Sequence, residues 1–269
     1  MAPVTARLSL RLVAFALAFA AQAVAAQTIM ITGANSGIGL EFTKQYAAQG
    51  WTVIATHRRD DTPQTLLEVM REHPNVRPER MDVTSSAEVH ALAAKLEGTP
   101  IDILLNNAGI FLLGEDWHEN AESDGQAFGT FDWDQFDQFM ATNVRGPIMV
   151  AEAFVGHVKA SDQKKIINIS SENGRITGDP YCCGLYWYRM SKAALNKLMR
   201  QLAVELEPEG VTVLMFDPGA VRVEKQANFD FPGMIETEVS VRGMIETAAK
   251  VTLEDTGRFI RYDGTEAPW

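Results

Sequence analysis

Tyr188 and Lys192 lie four residues apart in the run Tyr188-Arg189-Met190-Ser191-Lys192. On a helix that spacing puts both side chains on one face, one turn apart. An ammonium beside a phenol favours the phenolate and so lowers the tyrosine pKa. Such a phenol can give or take a proton nearer neutral pH. A lone Tyr-x3-Lys pair is weak evidence, because many helices carry one as packing plus a surface charge. Ser171 adds to it. It ends an apolar run, Lys164 to Ser171 (KKIINISS), that reads as a strand. Open α/β sheets bind ligands at the carboxyl edge of their strands, where a serine hydroxyl can hold a carbonyl oxygen. The competing reading of Ser170-Ser171 is turn capping.

A second stretch carries a different chemistry. Thr28 to Gly39 reads TIMITGANSGIG: a short β-branched strand, a glycine turn, and the opening of a helix at Ile38-Gly39-Leu40-Glu41-Phe42. Glycines let the backbone approach a pyrophosphate, and the free N–H groups of a helix start point at it. The spacing is Gly33-x3-Gly37-x-Gly39 rather than the commoner G-x-G-x-x-G. A glycine-rich turn without a ligand is the bland alternative. After the next strand, Trp51 to Thr56, comes His57-Arg58-Arg59. An NAD site places an acid near this point to hold the ribose hydroxyls; a basic cluster instead favours a 2′-phosphate, hence NADP, with NAD as the alternative. Asp60 and Asp61 come slightly late to act as that acid. Further on, the strand Ile101 to Leu105 runs into Asn106-Asn107-Ala108-Gly109, whose small residues let the chain pass close to a cofactor beside the first turn.

These residues need a sheet and helices to hold them. Strand-like runs alternate with helical patterns from Thr28 onward, which predicts βαβ units, a parallel sheet and a single doubly wound α/β (Rossmann) domain. Helices are expected over Leu40 to Gln49, Thr65 to Glu72, from a capped start at Ser85, Phe136 to Phe154, Leu185 to Leu206 and near Val239 to Val251. Strands are expected to end at Arg80 to Val83, to span Val211 to Phe216, and to close the sheet near Arg258 to Tyr262. Gly114 to Asp137 is rich in Asp and Glu and has no Lys or Arg. It reads as a solvated loop leading into a helix, or else as a lid or a rim that repels anions.

Composition sets the outer limits. At 269 residues and 46% hydrophobic content the chain can bury a large core. A net charge of −11 gives a nucleic-acid partner no electrostatic support. Cys182 and Cys183 are adjacent and close no useful loop, and the five histidines show no metal-ligand spacing, so no metal site is expected. Residues 1–27 are different material. Arg7 and Arg11, the apolar Leu12 to Ala21, and Ala23-Val24-Ala25 follow the order of a secretory signal peptide. A retained membrane anchor and an extension from a misassigned start are the other two readings. Cleavage would place residues 28–269 in the periplasm or outside the cell; otherwise they are cytoplasmic.

Taken jointly, the motifs resemble the short-chain dehydrogenase/reductase family. They are Thr32-Gly33-x3-Gly37-Ile38-Gly39, Asn106-Asn107-Ala108-Gly109, Asn143, Ser171, Tyr188-x3-Lys192 and Pro218-Gly219, in the family's order. Tyr188 to Ala194 and the ending Tyr262-Asp263-Gly264 with Pro268-Trp269 look like its carbonyl-reductase-like branch, which includes the sniffer and C-factor proteins. The resemblance implies a role for each position. Gly33, Gly37, Ile38 and Gly39, helped by Ser36, line the pyrophosphate, and Arg58 takes the 2′-phosphate. Asp82 and Val83 flank the adenine; Asn107, Ala108 and Gly109 lie along the ribose. Tyr188 handles the hydroxyl proton, Lys192 tunes it and binds the nicotinamide ribose, and Ser171 holds the substrate oxygen. Asn143 bends its helix and holds a water in the proton relay. Pro218, Gly219 and Val221 face the nicotinamide.

Three departures stand out. Ser171 and Tyr188 are further apart than is usual, with Tyr181 to Gly184 as the excess. Val223 stands where the family often has a threonine. The acidic 114–137 segment could reshape the mouth or hinder a homodimer built on the helices of Asn143 and Tyr188. The implied activity is hydride transfer between a nicotinamide and a small carbonyl or alcohol substrate. The rival is a cofactor-binding signalling protein of the C-factor type with little turnover, against which the complete Asn143, Ser171, Tyr188 and Lys192 set argues. Trp187, Tyr186, Phe111 and Phe229 suggest an apolar or aromatic substrate.

Overall fold

The computed structural model describes residues 26–111, 125–178, 184–224 and 232–269. The signal-like segment through residue 25, the cysteine pair, Phe229 and most of the acidic stretch lie outside them. Seven strands form one sheet: β1 (Thr28–Ile31), β2 (Thr52–His57), β3 (Val76–Arg80), β4 (Ile103–Asn106), β5 (Lys165–Ile169), β6 (Thr212–Asp217) and β9 (Phe259–Arg261). Their order is β3-β2-β1-β4-β5-β6-β9, and every pairing is parallel. The chain moves outward from β1 to β3, then returns to place β4 on the other side of β1. That reversal opens a crevice between the carboxyl ends of β1 and β4. A separate short parallel pair, β7 (Val221–Arg222) and β8 (Ile235–Glu236), follows β6.

The strands are buried on both faces, so their residues divide by alternation. Ile29, Ile31, Ile103, Leu105, Ile167, Ile169, Leu214 and Phe216 share one core with α1 (Gly37–Ala48), α2 (Gln64–Glu72) and α7 (Thr237–Lys250). Met30, Leu104, Ile166, Val213 and Met215 face the other, with α3 (Ser86–Lys95), α5 (Gly146–Lys159) and α6 (Tyr186–Leu206). Successive strand side chains point to opposite faces, and continuous apolar runs are what a two-sided sheet requires. The doubly wound α/β architecture is therefore as expected. Ser85 caps α3 by accepting from the Glu88 amide.

Two expectations need correction. β3 ends at Arg80, and Met81 to Val83 run on as loop. Pro78 is tolerated because β3 is an edge strand. The single long helix expected over 136–154 is interrupted. α4 (Trp133–Met140) gives way to a π turn at Ala141–Arg145, and α5 resumes at Gly146. Pro147 has no N–H to bond the carbonyl four residues back, so the ladder must open there. Asn143 sits in the widened turn.

Asp102 joins the amino ends of three strands. Its carboxylate accepts from the Thr28 amide at 2.8 Å and the Gln163 amide at 3.3 Å, and its carbonyl accepts from Lys165. Asp102→Ala strands a buried amide, and the expected loss of stability is about 1–3 kcal/mol. Urea unfolding measures it; an unchanged midpoint would contradict the role.

Candidate active site

The crevice between β1 and β4 is closed by hydrogen bonds that join the two loops leaving them. The Thr32 hydroxyl accepts from the amides of Asn107 and Ala108, each at 2.9 Å. The Asn107 side-chain amide donates to the carbonyls of Thr32 at 2.9 Å and Gly33 at 3.2 Å. Glycine is required at two places. Gly33 has φ +65°, and a Cβ there would lie 3.0 Å from the Ala108 Cα. A Cβ on Gly39 would lie 2.3 Å from the Gly33 carbonyl oxygen and 2.4 Å from the Asn107 amide nitrogen. The helix start is thereby pressed onto the turn.

The α1 amino terminus accepts a carboxylate. The Gly37 amide donates to a Glu224 carboxylate oxygen at 3.0 Å. An anionic oxygen already satisfies the group that a pyrophosphate would use, so the cradle fits that chemistry. Ser36 is exposed and makes no side-chain cap bond. Ile38 is half-buried beside it. Val223, at the position of the family threonine, lies 3.4 Å from where a Gly37 side chain would begin. Pro218 and Gly219 follow β6; the Pro218 carbonyl accepts from Ser240 at 2.7 Å, and Val221 is buried in the β7–β8 pair.

At the far side, the basic cluster after β2 is narrower than its sequence. His57 is buried, and burial lowers its pKa. Arg58 and Arg59 are the exposed cations. Asp60 pairs with Arg80 at 3.4 Å, and Arg80 also reaches Glu88 at 3.0 Å. Asp82 is held by its own turn, accepting from the Thr84 amide at 2.8 Å. Val83 is wedged against Gly146 at the start of α5.

The residues expected to handle a proton meet at the carboxyl edge of β4, β5 and β6. The Tyr188 phenol lies close enough to the Ser171 hydroxyl for that group to favour its ionised form. Ser171 also accepts from the Asn173 amide at 3.1 Å, so the turn-capping and substrate-holding readings describe one oxygen. The Lys192 ammonium donates to the Ile169 carbonyl at 2.9 Å and lies 5.7 Å from the centre of the Tyr188 ring. The Asn143 amide group is fully engaged: its oxygen accepts from the Ile110 amide at 2.8 Å, and its nitrogen donates to the Ile110 carbonyl and to Ser191. Gly109 lies beside both groups: a Cβ there would be 3.3 Å from the Asn143 side-chain oxygen, a tight contact, and 3.7 Å from the Lys192 nitrogen, an ordinary one.

The electrostatics differ from the expectation at one point. The Tyr188 phenol is pushed up to about 12, not down. Tyr188 as a residue is half-buried, but its hydroxyl end lies with buried Ser171, Lys192 and Asp217. Loss of water there outweighs the lowering influence of the Ser171 hydroxyl, and the negative Asp217 raises the phenol further. Burial also pulls Lys192 down to about 8, opposed by Asp217. Asp217 itself is raised by burial, although the amides of Glu172 and Gly219 donate to it at 2.8 and 3.2 Å.

Of the aromatic residues proposed for substrate contact, Phe111 packs edge-on against Tyr188, with ring centres 4.7 Å apart. Trp187 is buried, its indole N–H donating to the carbonyls of Gly125 and Asp132, and Tyr186 packs on Phe131. Asp217, Glu224 and Gln126 were not legible as site residues. The hint for Asp217 was an acid at the end of an apolar strand; for the other two, the partners are 187 and 62 residues away.

Comparison with known proteins agrees with this geometry. Residues 27–230 match the model of the short chain dehydrogenase family. The chain belongs to that family. As a short-chain dehydrogenase it is an oxidoreductase. It is 32% identical over 258 residues to an oxidoreductase of Schizosaccharomyces pombe, covering 89% of this chain and 96% of the other. It is 30% identical to the C-signal protein of Myxococcus xanthus over 181 residues, 67% of this chain and 100% of that one. The NADPH-bound carbonyl reductase from chicken fatty liver superposes with a TM-score of 0.80 at 28% identity, covering 91% and 99% of the two chains. These likenesses place the chain in the carbonyl-reductase-like branch.

The depressed Lys192 carries a stability signature in this short-chain dehydrogenase. Its folded value, about 8, lies below the ordinary 10.5. Between those values the unfolded chain binds the proton more readily, so folding stability rises with pH across that window. The expected slope approaches about 1.4 kcal/mol per pH unit. Urea unfolding at several pH values, compared with Lys192→Met, measures it; parallel curves would refute the depressed pKa.

Proposed function

We propose that the chain is an NADP-dependent carbonyl reductase or alcohol dehydrogenase acting on a small, mainly apolar substrate. The observation that carries the reading is the Ser171–Tyr188 hydroxyl pair beside buried Lys192, at the mouth of the glycine turn. NADP(H), when bound, supplies or accepts the hydride. Gly33, Ser36, Gly37, Ile38 and Gly39 would hold its pyrophosphate, and Arg58 its 2′-phosphate. Asp82 and Val83 would flank the adenine, Asn107, Ala108 and Gly109 the adenosine ribose, and Pro218, Gly219 and Val221 the nicotinamide. Lys192 would bind the ribose next to the reacting ring. Support for NADP comes from the exposed Arg58 and from the NADPH in the chicken carbonyl reductase.

The chain's own residues then handle the oxygen. Ser171 orients the carbonyl by donating to its oxygen. Tyr188, protonated throughout the neutral range, gives its proton in reduction, and in the reverse direction only the phenolate left by that step would take the proton back. Lys192 would tune Tyr188, while Asn143 is bonded separately to Ser191. Phe111 supports an apolar substrate wall. Likeness to the C-signal protein favours a second reading, a cofactor-binding signalling protein with little turnover. Screening the purified protein with NADPH against aldehydes, ketones and quinones separates the two: NADPH binding with no turnover across the panel would favour the second.

Tyr188→Phe is expected to reduce NADPH-dependent carbonyl reduction at least about 100-fold while NADPH affinity stays within about twofold. Steady-state kinetics with a fluorescence titration of NADPH measures both, and undiminished turnover would remove the mechanism. Arg58→Asp is expected to weaken NADPH by about tenfold or more and NADH little, since a 2′-phosphate would lose a charged partner. An unchanged preference between the two nucleotides would restore NAD as the cofactor.

A further inference from the structure

The helix that carries Tyr188 and Lys192 begins without a local cap. The residue before α6, Leu185, has left-handed backbone angles, φ 56° and ψ 29°, and its own side chain makes no cap bond. The first four amides of a helix have no partner within it. Here two of them are met from a distant part of the chain. The Gln126 carbonyl accepts from the Tyr186 amide at 3.0 Å, and the Gln126 side-chain oxygen accepts from the Tyr188 amide at 3.0 Å. Gln126 is fully buried. Its side-chain nitrogen faces the Phe111 carbonyl at 3.4 Å, and Phe111 is the ring that packs on Tyr188.

The segment around Gln126 is itself fastened. Gly125 has φ +76°, and a Cβ there would lie 2.7 Å from Asp132 and from Gln135, so the turn is tightly closed. The Asp132 amide donates to the Gly125 carbonyl at 2.9 Å. Asp132 caps α4, and the Trp187 indole donates to the carbonyls of Gly125 and Asp132. Lys192, one turn further along α6, is fixed independently by Ile169. The first turn of α6 can therefore shift only if Gln126 lets go, and the phenol would shift with it.

We propose that Gln126 is a positioning residue, which caps the catalytic helix from outside and sets the Tyr188 hydroxyl against Ser171. This rests on the catalytic reading of Tyr188 for its consequence in turnover, but not for its consequence in geometry. The physical scale is that of small misplacements: about 1 Å at a reacting group can cost on the order of 100-fold in rate. Removing the acceptor strands the Tyr188 amide and frees the phenol end to seek water. Its pKa then falls toward the ordinary value, near 10.

The test uses full-length protein labelled with 13Cζ-tyrosine, with the Tyr188 signal assigned by its loss in Tyr188→Phe. Near pH 11, an ordinary tyrosine is largely ionised and Tyr188 is not. Gln126→Leu is expected to move the Tyr188 titration down by about one pH unit or more, with the Tyr262 signal unmoved. On a carbonyl reduced by the parent, kcat should fall about tenfold or more with KM and NADPH affinity little changed, and the solvent deuterium isotope effect should rise. Gln126→Glu keeps the acceptor and should recover most of the rate. Should Gln126→Leu fail to fold, Gln126→Asn, which withdraws the same amide by one methylene, takes its place. A Tyr188 titration unchanged in a folded variant overturns the proposal. Activity retained in Tyr188→Phe overturns the catalytic reading instead, and leaves the titration to decide the geometry.

Discussion

The structure depends on how closely the turn after β1 can approach the loop after β4. Thr32 and Asn107 each bond both loops, and Gly39 lies against the Gly33 carbonyl with no room for a side chain. In a parallel sheet neighbouring strands end at the same level, so two loops leaving adjacent strands would ordinarily compete for one volume. Reversal of strand order between β1 and β4 removes that competition, since the helices following them go to opposite faces. What is left is a crevice floored by backbone, with the amino terminus of α1 aimed across it. A charged phosphate can be met there by amides that are fixed before it arrives, so little ordering entropy is lost on binding.

The side of the crevice that holds Tyr188 and Lys192 is built on a different principle. It gathers Tyr188, Lys192, Asp217 and Ser171 where water is scarce, and each titratable member is displaced from its ordinary pKa mainly by that scarcity. Burying an ammonium and a carboxylate opposes folding unless they are bonded. Lys192 has the Ile169 carbonyl, and Asp217 has the amides of Glu172 and Gly219. Those bonds also tie the loop after β5 to the loop after β6. The contacts that make the buried charges tolerable are thus the contacts that hold Ser171 in place. A phenol kept protonated in this setting suits reduction, in which a proton must be given to an oxygen that is gaining charge.

How much of this could be read beforehand depended on distance along the chain. The alternation of strands and helices was legible because a strand buried on both faces must be continuously apolar. Tyr188 and Lys192 were legible because helical spacing alone puts them on one face. Their pKa directions were not. Lys192 four residues from Tyr188 predicts a lowered phenol only if its attraction outweighs the loss of water around the phenol, and the packing of β5, β6 and α6 decides that. The π turn at Ala141–Arg145 leaves no mark in the hydrophobic pattern, which runs through it unbroken; Pro147 and the bend expected at Asn143 were its signs. His57 reads as part of a basic cluster, yet strand alternation takes it inside while Arg58 and Arg59 stay out.

Helix ends show the same limit most clearly. Ser85 before α3 announces its cap in the sequence, since acceptor and amide are three residues apart. α6 announces none. Leu185 in a left-handed conformation would be a poor start for an isolated helix, because its Cβ crowds the following carbonyl. The cost is met by bonds from Gln126, and such bonds form only once the segment from Gly125 to Asp132 has docked. Formation of the first turn of α6 is thereby coupled to long-range assembly. In such a helix the interior turns, including Lys192 and Leu195 against the core, can form on hydrophobic burial alone, whereas the turn bearing Tyr188 is completed by tertiary contact. Tyr188 of this short-chain dehydrogenase thus sits where the geometry of α6 is imposed from outside.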